Sequence, residues 1–145
     1  MLDEALAVFR RGLDDCKAKI AKFAIGQYNN RAIDDRNALV HEIGSLAFRF
    51  LLNQDYGKAL DAVDSALATL PSTLLNVYRA HTLMFLDRVD EARPLYMRCC
   101  NDKVDATRTG ETVILGDFAA LRKAELTRPL MEEIEKLCGA GSRSV

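Results

Sequence analysis

The chain has 145 residues, 49% of them hydrophobic and 28% charged, a length and balance that suit one domain with a real core. Its net charge of -1 and pI of about 6.1 exclude the broad basic surface that a nucleic-acid partner requires. No apolar run approaches the roughly 20 residues of a membrane helix, and "IGSLAFRFLL" is short and carries Arg49, so no membrane association is expected.

Strand signals are scarce. Runs of alternating β-branched residues are missing, only three prolines interrupt the chain, and apolar residues recur at helical spacing. In chain order the pattern predicts helices over 2–27, 36–53, 55–69, 73–86, 89–101, 110–125 and 128–138. The first of these, opening "MLDEALAVFRRGL", is acidic early and lacks the apolar centre of a secretory signal, which points to a cytoplasmic protein. The connections around 54, 71 and 87 are short, making successive helices antiparallel neighbours. Asp55, Ser72 and Asp87 stand where N-caps belong, with side-chain oxygens able to accept from free backbone N–H groups. The polar stretch 101–110, "NDKVDATRTG", reads as a loose loop, and 139–145, "GAGSRSV", as a disordered tail.

The four cysteines are Cys16, Cys99, Cys100 and Cys138. None forms a C-x-x-C pair and there are two histidines, so no metal or cofactor site is predicted. Cys99 and Cys100 are adjacent, a poor geometry for an ordinary disulfide, and the cysteines are read as reduced thiols. No catalytic constellation emerges either. His41 and His81 could meet across neighbouring helices near a thiol, but Cys99 falls at a packing position.

A repeat does emerge. Sliding the stretch 53–71, "NQDYGKALDAVDSALATLP", forward until Ala59 meets Ala92 also brings Tyr56, Val63 and Ala66 onto Val89, Tyr96 and Cys99. Upstream, Ala47 and Phe50 fall on Ala80 and Leu83. A small side chain on one helix admits a bulky one from its neighbour, so stacked hairpins nest. Leu2, Ala5, Phe9 and Gly12 share the same spacing, but Ala5 lies farther from Ala59 than Ala59 lies from Ala92. At the other end, "ETVILGDFAALRKAELTRPLMEEIEKL" has no clear repeat phase. Its faces Ile114, Phe118, Leu121 and Leu130, Ile134, Leu137 read as a final helical pair covering the last apolar face of a stack.

These residues resemble the tetratricopeptide repeat (TPR) family, whose pattern runs W-x2-L-G-x2-Y, then A-x3-F, then P. Here the first repeat shows Ile43-x2-Leu46-Ala47-x2-Phe50, Ala59-x3-Val63, Ala66 and Pro71. The second shows Ala80-x2-Leu83, Ala92-x3-Tyr96 and Cys99, departs from the pattern at Asn76 and Arg79, and lacks the closing proline. The resemblance covers 40–101 and implies an all-α TPR-like antiparallel helical hairpin array of about seven helices. It divides 1–138 into N-terminal helices (1–39), repeat one (40–72), repeat two (73–101) and capping helices (110–138).

The resemblance also implies a function. The first helix of each TPR repeat lines a concave groove, which places His41, Gly44, Phe48, Leu51 and Leu52 of repeat one beside Leu74, Val77, His81, Met84 and Phe85 of repeat two. The expected role is a non-enzymatic protein–protein interaction module taking a peptide or helix in an apolar groove. Clamps for a C-terminal carboxylate use lysine and asparagine on this surface, where Gly44 and Phe48 stand here. The expected partner is a protein or peptide, with a homodimer through the groove as a further arrangement. Two other roles stay open: a regulatory or targeting segment of a larger bacterial enzyme, and a TPR-type secretion chaperone. So do two states of the face itself, filled by an external apolar ligand or covered internally by helix 2–27 or the C-terminal pair.

Overall fold

The computed structural model describes residues 3–8, 10–11, 30–105 and 107–143, with 30–35 and 139–143 described by backbone alone. The chain is all-α. Helical residues 3–8 and 10–11 precede α1 (Asn30–Leu52), α2 (Tyr56–Leu67), α3 (Thr73–Phe85), α4 (Val89–Cys100), α5 (Gly110–Lys123) and α6 (Pro129–Arg143). Among the described residues no helix is long and apolar enough to cross a membrane.

Each of α1, α3 and α5 ends in the same turn, which after α1 and α3 leads directly into the next helix. At the end of α1, Gln54 donates to the Leu51 carbonyl and Asp55 to that of Phe50. Asp87 and Arg88 do the same to Met84 and Leu83 after α3, and Glu125 and Leu126 to Arg122 and Leu121 after α5. The paired bonds satisfy carbonyls that a helix end leaves free. Gln54, Asp87 and Glu125 each take a left-handed φ of 61° to make them, at positions where glycine is usual. The result is three hairpins, α1/α2, α3/α4 and α5/α6, with α1 against α3 and α3 against α5.

Several boundaries differ from those the sequence predicts. α1 is already helical at Asn30, ahead of the expected 36, and 139–143, expected as disordered tail, continue α6. Of the expected helix 2–27 only the stretch to Arg11 lies within the described residues; it docks on α2 through Asp3–Lys58 at 2.7 Å and Arg10–Asp61 at 2.6 Å. Ser72 caps α3 by accepting from the Leu75 amide. Asp55 occupies the N-cap of α2 without a side-chain bond, and Asp87 is not a cap at all: its left-handed turn position puts Arg88 at the N-cap of α4.

Ala47, Ala59, Ala66, Ala80 and Ala92 are fully buried among Phe50, Leu83, Tyr96 and Phe118. Two glycines extend the same logic. A Cβ on Gly44 would stand 2.7 Å from the Tyr78 ring, where α1 meets α3. A Cβ on Gly110 would overlap the Cys99 carbonyl, because the start of α5 presses against the end of α4.

The described residues of the stretch 101–110, expected as a loose loop, are held by backbone and side-chain hydrogen bonds. Lys103 and Thr109 form an isolated bridge, and the Gly110 amide donates to the Asp102 carbonyl at 2.8 Å. The Asp105 carboxylate accepts from the amides of Thr107 and Arg108 and from the Arg108 guanidinium. Those bonds, the Thr107 amide first, hold it well below the usual carboxylate range.

Two outcomes follow. Gly110→Ala loses about 1–3 kcal/mol or more in urea denaturation, the cost of overpacking against backbone, whereas Gly116→Ala, which meets open space, gains about 0.5–1 kcal/mol from helix propensity. The Asp105 pKa in the folded chain lies below its unfolded value of about 3.9. Its contribution is therefore present above that pH and lost as pH falls through the folded value. An NMR titration of the Asp105 carboxyl checks the shift, and Asp105→Asn removes that part of the acid sensitivity.

Candidate functional site

The residues expected to line one groove separate into two groups. Gly44, Leu51, Leu74, Val77, His81, Met84 and Phe85 are buried in the core. His41 is exposed, Phe48 half-buried and Leu52 39% exposed. The open groove is thus corrected to a largely covered face, and the cover is internal. Phe118 of α5 lies 5.6 Å from His81 between ring centroids. Tyr56 of α2 stacks on Phe85 at 5.2 Å, and the Arg128 guanidinium sits over that ring at 4.9 Å. A cation on an aromatic face gains from the ring quadrupole while its stem covers apolar surface.

At the centre of this face is a buried polar link joining α3, α4 and α5. His81 Nδ1 lies 2.6 Å from the Tyr96 hydroxyl and Nε2 lies 3.0 Å from Asp117 Oδ2. An ionised Asp117 accepts only, so Nε2–H donates to it, and in a neutral ring Nδ1 then accepts from Tyr96. Tyr96 also lies 3.8 Å from Met84 Sδ. Asp117 keeps 20% of its side chain exposed, which gives its carboxylate contact with water. Burial raises the Tyr96 hydroxyl far above the ordinary tyrosine range, with the Asp117 charge adding to it. Tyr78, edge-on to His81 at 5.9 Å, is raised for the same reasons.

His41 and His81 therefore do not share one surface. His81 is interior, and His41 opens onto a cleft of about 360 Å³ at the start of α3, beside Arg36, Ser72 and Asp105. Arg36 donates to the Pro71 carbonyl there at 2.7 Å. A second cleft of about 590 Å³ lies at the other end of α3, floored by Met84 and Leu130 and edged by Arg93, Arg128 and Glu133. Arg93 pairs with Glu133 at 3.1 Å.

The cysteines also need a correction. Cys100 and Cys138, read from the sequence as reduced thiols, are joined by a disulfide with a Cα separation of 5.9 Å. Cys99 is a free, buried thiol that burial pushes up to about 11, so it stays protonated. Among the described residues no group of three or more His, Cys, Asp or Glu could hold a metal ion. Neither the family models nor the curated proteins nor the solved structures include a match to this chain.

Asp117 and Tyr96 are the members of the polar link that the sequence reading did not assign to a site. One signal was present: Asp117 is a lone acid inside the apolar run "VILGDFAAL". Tyr96→Phe is expected to cost about 1–3 kcal/mol, because it leaves His81 Nδ1 buried without its donor. In a double-mutant cycle with His81→Leu the two changes couple by at least about 0.5 kcal/mol, and additive urea-denaturation energies would contradict the link.

Proposed function

We propose that this chain is a TPR-like, non-enzymatic interaction module that takes an amphipathic helix or peptide along the exposed flank of α1. The supporting observation is the recurrence of hairpin geometry. The left-handed turn residues Gln54 and Asp87 are separated by the same interval as the small residues Ala59 and Ala92. Nested hairpins of this kind present the first helix of each pair on one side of the molecule, which makes α1, α3 and α5 the binding side.

The internal cover narrows that surface. Among the expected groove residues, Phe48 and Leu52 are the apolar anchors that stay accessible on α1, with Tyr78 edge-on to Phe48 at 6.1 Å. Each anchor contributes roughly 1.5–3 kcal/mol on full burial, so two of them give affinities in the micromolar range or weaker after ordering costs. A protein or peptide partner of complementary apolar face fits this surface. A second copy of the chain is the competing occupant.

The test is a selection of amphipathic helical peptides on the immobilised chain, followed by titration of the best binder. Leu52→Glu should weaken binding at least about tenfold while changing stability by no more than about 0.5 kcal/mol, as for an ordinary surface position. Phe85→Ala, by contrast, should destabilise the fold by about 3–5 kcal/mol, because that ring is core. Peptides that bind Leu52→Glu unchanged would remove α1 as the docking face, and concentration-dependent dimerisation lost in Leu52→Glu would assign the face to a second copy.

A further inference from the structure

We infer that the Cys100–Cys138 bridge is a reversible fastening for the C-terminal half of α6, opened by a low-molecular-weight dithiol. The inference is independent of the interaction reading above, because it concerns how the last helix is held and needs no partner.

What else holds α6 is concentrated in its N-terminal half, which buries Leu130, Met131 and Ile134 in the core. Beyond Ile134 the noncovalent anchorage thins. Glu135 pairs with Arg122 at the surface, where such pairs contribute little. Lys136 is exposed and Leu137 is 41% exposed. Cys138 is the next buried side chain, at 3%, facing Cys100 at 4%. The covalent link thus sits one turn past Ile134, the last buried apolar residue before it. It also joins equivalent places in two hairpins: Cys100 stands as far along the chain from Asp87 as Cys138 stands from Glu125.

The neighbouring thiol shows why the chemistry belongs to this pair. Cys99 is 1% exposed, protonated by burial, and lies against the start of α5. Cys100 faces α6, the one other described element that carries a cysteine. Both bridge sulfurs are nearly inaccessible in the docked state, so exchange requires the end of α6 to open first. A thiolate of the dithiol then attacks one sulfur, forming a mixed disulfide and releasing the other as a thiolate. Its second thiol displaces the first cysteine, and the reagent leaves as a cyclic disulfide. The bridge takes up two electrons and two protons and becomes two thiols. The end of α6 is then free to leave α4, exposing the Cys100 side of that helix.

Non-reducing peptide mapping of the full chain, with Cys99→Ala to exclude the adjacent sulfur, should recover a linked pair containing Cys100 and Cys138. Hydrogen exchange read by mass spectrometry with and without dithiothreitol then tests the fastening. Reduction should speed exchange at 135–143 at least about tenfold and leave 56–85 unchanged, and reoxidation should restore protection. Cys138→Ser should show the fast exchange with or without the dithiol. Absence of the link after oxidation would overturn the proposal. So would a link whose reduction leaves α6 unchanged, or one whose reduction loosens every helix alike, since the bridge would then be a global staple.

Discussion

Ala47, Ala59, Ala66, Ala80 and Ala92 carry a single methyl group each, and each is fully buried. In a helix interior that looks like a lost opportunity, because a leucine there would bury several times the apolar area. The gain lies on the other helix of each contact. Where one surface is cut back, Phe50, Leu83 or Tyr96 can enter, and all of them share one buried cluster. Gly44 under Tyr78 and Gly110 against the Cys99 carbonyl are the same constraint taken to its limit. The contacts of α1 with α3 and of α4 with α5 depend on that approach.

The third hairpin keeps one such approach, at Gly110, but not the alanine positions. Glu125 repeats the turn of Gln54 and Asp87, but it lies farther along the chain from Asp87 than Asp87 lies from Gln54. Aligned on that turn, Phe118 stands where Ala47 and Ala80 stand, and Leu130 where Ala59 and Ala92 stand. Large residues replace small ones in the third hairpin, and Phe118 packs inward on His81 and Tyr96 of the second. The change of interval comes from the loop 101–110, whose bridge and Asp105 turn place the start of α5. A search at fixed period loses phase across those residues, which is why the C-terminal pair reads as a cap of unrelated sequence.

Much of the fold was therefore legible. Helical periodicity located α2 to α5 closely, and the small-residue repeat identified the nesting positions. The turn residues were less so: Asp87 has the chemistry of an N-cap and the backbone of a left-handed C-terminal turn, and its side chain alone does not say which. The candidate site was legible only in outline. Val77, Met84 and Phe85, expected on a groove face, are buried, and a groove face and a core face have the same composition. What decides between them is whether another element lies on top. Here Phe118, Tyr56 and Arg128 do, and each comes from a different stretch of chain.

The covering of that face also explains its buried polar centre. An apolar side chain at 81 would satisfy packing, and His81 instead commits α3 to partners on two other helices. Hydrogen bonds have directions that apolar contacts lack, so His81 constrains the placement of α4 and α5 against α3 through Tyr96 and Asp117. Asp117 can act in this way because it sits at the margin, partly wet, and avoids the full cost of burying a charge. The face given by resemblance to a binding groove is thus the place where the last hairpin is keyed to the rest. Of the residues placed on that face by the resemblance, Phe48 and Leu52 on α1 are the apolar ones that keep contact with solvent.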